Sequence, residues 1–230
     1  MAMMIATLSK KIALTDDVFE LHYILSEKKE MIAGQFITFI LPGVGGRSYS
    51  ILELIGDSAI LIIKRWPQET GGRGGSVLLC DASVGDEFKC VGPVGHFVLS
   101  AHNVPRLFIG TGTGLVPLYS MILEGLEKKI GDKYQLVFGV RYKKDMFYID
   151  KFEALKEKYP DSFYYHTVVS RDPADGIIHA GYVTDFLSPK VIGDFDEFYL
   201  CGAPAMIEGV ENKLSELGVE KESIFFEKYA

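Results

Sequence analysis

Several short segments of this sequence combine residue types that can hold or move charge. Gly110-Thr111-Gly112-Thr113-Gly114 stands between a strand-like and a helix-like stretch. Glycines there let the backbone approach a pyrophosphate, and the helix N-terminus adds unpaired N–H groups and a favourable dipole. The spacing G-x-G-x-G departs from the dinucleotide fingerprint G-x-G-x-x-G, so a plain tight βα turn is the competing reading. In Arg47-Ser48-Tyr49-Ser50, strand alternation puts Arg47 and Tyr49 on one face. That face pairs a guanidinium fork with an aromatic plate, which suits a phosphorylated, flat, conjugated ligand; the alternative is an exposed arginine beside a packing tyrosine. Gly74-Gly75-Ser76 offers N–H groups and a hydroxyl to phosphate oxygens, or is only a hairpin. Cys201-Gly202-Ala203-Pro204-Ala205-Met206 turns from strand to helix with Cys201 near the carboxyl edge of a sheet, where a cysteine is also commonly just buried. The closing Phe225-Phe226-Glu227-Lys228-Tyr229-Ala230 is too aromatic for a fraying terminus, so something must cover it.

The elements that must carry these segments change character along the chain. Short β-rich runs at 19–25, 35–40, 48–54, 59–64, 77–79 and 87–91, punctuated by glycine-rich turns, predict an antiparallel barrel or sandwich. After a junction at 100–105, strands at 106–109, 134–140, 163–169, 198–201 and 224–227 alternate with helices at 116–130, 150–159, 182–187 and 203–217. That alternation predicts an α/β parallel sheet with ligands outside the carboxyl ends of its strands. The expected domains are 1–101 and 102–230.

Composition narrows the partners. With 48% hydrophobic residues the 230-residue chain can build substantial cores, and a net charge of −7 argues against nucleic acid. No apolar run approaches the roughly 18–20 residues of a membrane span, and the first residues lack a secretory signal. A cytoplasmic address is expected. Cys80, Cys90 and Cys201 form no C-x-x-C pair, so no metal centre or self-contained iron–sulfur cluster is expected.

Taken in order, these segments resemble the ferredoxin–NADP reductase superfamily, from about Gly34-Gln35-Phe36 to Tyr229. Arg47-Ser48-Tyr49-Ser50 stands for the family's R-x-Y-S, and Gly74-Gly75-Ser76 for its second flavin-phosphate element. Gly92-Pro93-Val94-Gly95-His96-Phe97 matches G-P-x-G-x-F, residues 110–117 match G-T-G-T-G-x-x-P, and 201–206 match C-G-x-P-x-M. Glu227-Lys228-Tyr229 is similar to the acidic residue and aromatic that end the reductase core. Their joint order is far more specific than any one of them.

The resemblance implies a flavin-binding antiparallel β-barrel and a Rossmann-like NAD(P)-binding domain. It assigns Arg47 to flavin phosphate, Tyr49 to the ribityl chain and ring, and Ser50 to the ring edge near N5, with Ser48, Lys64, Gly74, Gly75 and Ser76 completing the flavin site. Gly110, Thr111, Gly112, Thr113, Gly114, Arg141, Ser170, Arg171, Cys201, Gly202, Pro204 and Met206 would hold the nucleotide. The implied catalytic residues are Ser50, Cys201 beside nicotinamide C4, Glu227 in a polar network with Ser50, and Tyr229. Tyr229 would stack on the flavin face that nicotinamide must occupy, as a gate. Ala230 is a departure, lying one residue beyond the terminal aromatic of plant-type members.

The implied reaction is hydride transfer between nicotinamide C4 and flavin N5, with electrons passing on to a ferredoxin- or flavodoxin-like protein. An electron-transfer subunit of a larger complex, a reductase of free flavin and a non-catalytic nucleotide-binding module are the alternatives. Arg141, Ser170 and Arg171 match positions of NADPH-using relatives, whereas Gly181-Tyr182-Val183-Thr184 looks more like NADH-using members and Asp172 and Asp175 lower the local potential. Lys64-Arg65-Trp66 and the loop to Ser76 also resemble FMN-using dioxygenase reductases, with Trp66 either an adenine-stacking plate or an ordinary exposed aromatic. FAD is adopted as the commoner family cofactor, with FMN as the alternative.

Overall fold

The computed structural model describes residues 3–176 and 178–229. The chain divides into two compact units, residues 1–98 and 99–230. In the first unit β1 (Met4–Ala13), β2 (Val18–Leu25), β3 (Phe36–Leu41), β4 (Gly45–Ile55), β5 (Ser58–Lys64) and β6 (Glu87–Val94) form a closed antiparallel barrel in the order β1-β2-β5-β4-β3-β6. Closure removes every free edge, and Met4, Leu8, Leu21, Tyr23, Ile37, Phe39, Ile51, Leu61 and Cys90 fill the inside.

Two local outcomes differ from the sequence expectation. β1 lies where no strand is expected, because a register shift between Leu8 and Lys10 resets its alternation midway. Residues 77–79, expected as strand, lie instead in the helix α1 (Gly75–Asp81). An apolar run this short does not choose between helix and strand; tertiary contacts do. Lys11 Nζ donates to the carbonyls of Cys80 (3.1 Å) and Ala82 (2.7 Å), closing the C-terminus of α1, and Arg65 grips Asp81 through two bonds of 2.7 and 2.9 Å.

The second unit is a parallel sheet of β7 (Arg106–Thr111), β8 (Tyr134–Val140), β9 (Phe163–Val169), β10 (Ile178–Ala180), β11 (Glu197–Gly202) and β12 (Ile224–Lys228), ordered β10-β9-β8-β7-β11-β12. Between the strands run α2 (Leu115–Lys128), α3 (Ile149–Lys158), α4 (Pro189–Ile192) and α5 (Pro204–Glu216). The expected helix at 182–187 is only a 3₁₀ turn, Val183–Phe186. It stops because Ser188, ahead of Pro189, takes extended backbone and caps α4. Strand order reverses between β7 and β11, the switch point whose carboxyl side is the natural ligand crevice of such sheets.

At the opposite ends of the same two strands, Arg106 and Glu197 are register partners and a buried ion pair, Nε to Oε2 2.9 Å. Arg106 also donates to the carbonyls of Ser100, His102, Val104 and Ile130, so the segment following residue 98 is wrapped onto its guanidinium. Burial pushes the Glu197 carboxyl up, but hydrogen bonds to Ser100 and His102 and the adjacent Arg106 outweigh it and hold the group below its ordinary range. A depressed carboxyl stabilises the fold above its unfolded pKa and loses that contribution as pH falls through the folded value, so stability is expected to drop in acid below about pH 4. Arg106→Met, which takes from buried Glu197 its buried cation and leaves it only the bonds of Ser100, His102 and Tyr199, is expected to cost about 3 kcal/mol, whereas Arg106→Met with Glu197→Leu costs less; urea unfolding compares the two.

Candidate functional site

In the barrel, Arg47 and Tyr49 turn to one side of β4 and both reach Gly75, the first residue of α1. A Cβ at Gly75 would stand 2.8 Å from Tyr49 Oη and 3.1 Å from Arg47 Cβ, so only glycine lets the helix start this close. Ser48 points away, exposed, with Oγ 2.9 Å from Thr38 Oγ1, and Ser50 is buried. Arg47 donates to the carbonyls of Gly46 (2.7 Å) and Arg73 (3.2 Å), yet its Nε is buried without a partner. A buried unpaired donor costs roughly 1–3 kcal/mol, and more on a charged group. An anion against this guanidinium satisfies the donor and the charge together, so the residues present fit a phosphate group.

The rest of the turn serves the loop. Ser76 Oγ accepts the Trp66 N–H (3.0 Å), and Lys64 is paired with Asp17 at 2.9 Å. Gly74 caps α1 in left-handed backbone, φ 83°, with no side chain claiming the first-turn N–H groups. Trp66 is half-exposed, but its Nε1–H donates to Thr70 O (2.9 Å), which fixes the ring orientation. Burial, reinforced by Cys80, pushes the Tyr49 phenol far above its ordinary value.

At the switch point of the second unit, β7 ends in Gly110-Thr111 and a 3₁₀ turn, Gly112–Gly114, leads into α2. Gly114 is seated directly on β11: a Cβ there would overlap the Cys201 carbonyl and stand 2.7 Å from Gly202 N. Gly202 in turn approaches Thr111 and Met206, a Cβ on it falling 2.9 Å from Met206 Cε. Neither α2 nor α5, which starts at Pro204, has a side-chain cap bond at its N-terminus.

Cys201 is fully buried and opposite Glu227 in the β11–β12 register. Burial, then the Glu227 carboxylate, pushes its thiol well up, against the pull of a hydrogen bond with Tyr229. The Tyr229 N–H also donates to Gly202 O at 2.9 Å, so Cys201, Gly202, Glu227 and Tyr229 form one group. Of the closing aromatics, Phe225 stacks on Tyr199 with centroids 4.9 Å apart, while Phe226 stays 42% exposed beneath Lys228.

β8 and β9 end side by side, Ser170 N–H donating to Val140 O (3.1 Å) and Arg171 N–H to Arg141 O (2.9 Å). Both arginine side chains are exposed, and Arg171 lies over Tyr142 at 5.8 Å from the ring centre. Sequence reasoning missed Lys143. Its N–H donates to Asp172 Oδ2 (2.6 Å), and its Nζ lies 3.2 Å from Asp175 Oδ2. No local signal pairs residues 29 and 32 positions apart; only the parallel register of β8 and β9 does.

Residues 108–212 match the oxidoreductase NAD-binding domain family. The chain is 33% identical over 202 residues to the toluate 1,2-dioxygenase electron transfer component of Pseudomonas putida, covering 86% of this chain and 59% of that protein. It is 29% identical over 218 residues to the ferredoxin–NAD(P)(+) reductase component of the naphthalene 1,2-dioxygenase system of Pseudomonas putida, covering 94% and 65%. The chain thus spans about three fifths of the length of these curated relatives. Among solved structures, a cytochrome P450 reductase of Amycolatopsis superposes with a TM-score of 0.88 at 27% identity, over 99% of this chain and 69% of that one.

The seating of Gly114 and the depth of the thiols both have measurable consequences. Gly112 is left-handed (φ 54°) with open space around its missing Cβ, so Gly112→Ala is expected to cost about 1–2 kcal/mol of urea-unfolding free energy through backbone strain alone. Gly114→Ala is expected to cost clearly more, since the glycine turn and β11 must part to admit the methyl group. Burial raises the thiols of Cys80 to about 12 and Cys90 to about 11, and Cys201 well above its ordinary value. Iodoacetamide at pH 8 is therefore expected to leave all three unmodified in the native protein, as read by mass spectrometry.

Proposed function

We propose, from the premise that the chain belongs to the ferredoxin–NADP reductase superfamily, that it is an NAD(P)H-dependent flavin oxidoreductase serving a ferredoxin- or flavodoxin-like acceptor. The observation that carries this reading is the buried, partnerless Arg47 Nε beside Gly75. The flavin these residues would hold, FAD in this reading, would supply the hydride and one-electron chemistry. The chain's own residues bind and orient. Arg47 would hold flavin phosphate, with Gly74 and Gly75 supplying N–H groups, and Tyr49 and Ser50 would line the ribityl chain and ring. The turn Gly110–Gly114 would receive the nucleotide pyrophosphate, with Gly202, Pro204 and Met206 beside it.

Cys201 would contribute a neutral thiol at the nicotinamide. Tyr229, tied to Cys201 and Gly202, would cover that thiol until a nucleotide displaces it. Glu227 adds the polar group next to it. Arg141, Ser170 and Arg171 would meet the adenosine ribose and favour NADPH. The proposed domains are a flavin-binding unit over 1–101 and a nucleotide-binding unit over 102–230. The names of the two Pseudomonas relatives, an electron transfer component and a ferredoxin–NAD(P)(+) reductase component, support a protein acceptor within a multicomponent system. A cytoplasmic location accords with the finding that no described helix is long and apolar enough to cross a membrane.

The test is the absorption spectrum of the purified protein, followed by anaerobic titration with NADPH and NADH in parallel. A flavin band bleached by either nucleotide supports the reading; a protein that stays colourless after incubation with FAD and with FMN overturns it. Arg47→Ala is expected to weaken flavin binding about 10- to 100-fold in equilibrium dialysis, the size of a lost charge-assisted hydrogen bond, with an unchanged far-ultraviolet circular dichroism spectrum.

A further inference from the structure

The loops after β8 and β9 hold two kinds of charge side by side. Arg141 has no side-chain partner among the described residues, and Arg171 is engaged by a tyrosine, its Nη1 3.4 Å from Tyr142 Oη. Asp172 and Asp175 belong to the same loop as Arg171 and would be its natural partners. Both are instead taken by one residue from the other loop: Lys143 binds Asp172 through its backbone N–H and Asp175 through its ammonium group. The consequence is two guanidinium groups left to an external anion, with the nearby carboxylates already engaged.

We propose that Lys143 determines selectivity between 2′-phosphorylated and unphosphorylated adenosine nucleotides, as a positioning residue that keeps the loop carboxylates occupied and leaves Arg141 and Arg171 open to phosphate. The inference rests on the donor reading above and adds a residue to it. Its physical basis is charge. A phosphomonoester carries between one and two negative charges near neutral pH, so an unmasked carboxylate beside it repels it and competes for the arginines, whereas the neutral ribose hydroxyls of NADH feel little of either. Only the Nζ contact depends on the side chain. The backbone bond to Asp172 survives any substitution, so the expected effect is that of one freed carboxylate, Asp175. At an exposed, screened site this amounts to about a five- to tenfold change in relative nucleotide preference.

The experiment measures kcat and KM of the flavin-loaded protein for NADPH and NADH, with ferricyanide as acceptor, in wild type, Lys143→Met, Lys143→Arg and the double variant Lys143→Met with Asp175→Asn. The wild type is expected to prefer NADPH. Lys143→Met should raise KM for NADPH about five- to tenfold without changing kcat and leave NADH within about twofold; added salt should shrink the difference. Lys143→Arg should keep the wild-type ratio, and Asp175→Asn should restore it in the Met background. Equal losses for both nucleotides would mean a merely structural role and overturn the proposal, as would an unmoved ratio, a failed rescue or a wild type that uses NADH alone. A wild type reduced by neither nucleotide would remove the donor reading itself, and the NADH arm separates that failure from the others.

Discussion

The second unit depends on one registration, that of β7 against β11. Arg106 opposite Glu197 marks its start, and Gly110 opposite Cys201 its end. Between them Leu107, Ile109, Phe198 and Leu200 supply apolar burial, but such side chains pack acceptably in more than one register. A buried ion pair adds little net stability once its desolvation is counted. What it adds is intolerance of a shift, because a slip of one residue would leave two charges buried and unpaired. That intolerance matters most at the other end of the strands. There Gly114 rests on the Cys201 carbonyl with no room for a methyl group, so the position of the glycine turn is set by the position of β11.

The barrel solves a related problem with a different device. The place where Arg47 is left wanting an anion lies at the start of α1, and a seven-residue helix does not hold itself together in water. Its far end is fixed instead. Lys11 takes two carbonyls at the C-terminus and Arg65 grips Asp81, so Gly75 is placed by contacts made about two turns away. Arg47 is likewise fixed through carbonyls of its own loop and that of Arg73. In both units a charged group is directed by backbone carbonyls, and a glycine removes the side chain that would have kept the elements apart.

These two dependences explain what the sequence could and could not disclose. The strands with unbroken alternation, and the long helices α2 and α5 with apolar residues at helical spacing, are legible because their pattern is local. β1 is hidden by a bulge, and α1 by being as short as a strand and stabilised from outside. At the candidate site, the residue types in Arg47-Ser48-Tyr49-Ser50 and Gly110–Gly114 suggest anion binding, and alternation correctly puts Arg47 and Tyr49 on one side. The partners do not show in the sequence. That Ser76 is spent on Trp66, Lys64 on Asp17 and both loop aspartates on Lys143 follows from contacts between residues ten or more positions apart, which no window on the chain contains.

The state of Cys201 constrains what the assembled group can do. A thiolate would be a nucleophile or a base, and cysteines used that way sit in electropositive, partly open surroundings that lower their pKa. Cys201 has the reverse: full burial and a carboxylate from Glu227, with only the hydrogen bonds of Tyr229 and the Gly202 N–H in the other direction. It therefore remains a protonated, polarisable group throughout the neutral range. A transfer of hydride between two bound rings needs no proton from the protein at that point; it needs the rings held at the right distance with water kept out. On the proposed reading, the neutral thiol left bare once a nucleotide displaces Tyr229 would supply a surface of that kind and make no competing reaction available. The arrangement thus favours contact and exclusion over acid–base chemistry, the division of labour expected where cofactors carry the electrons and the chain carries the geometry.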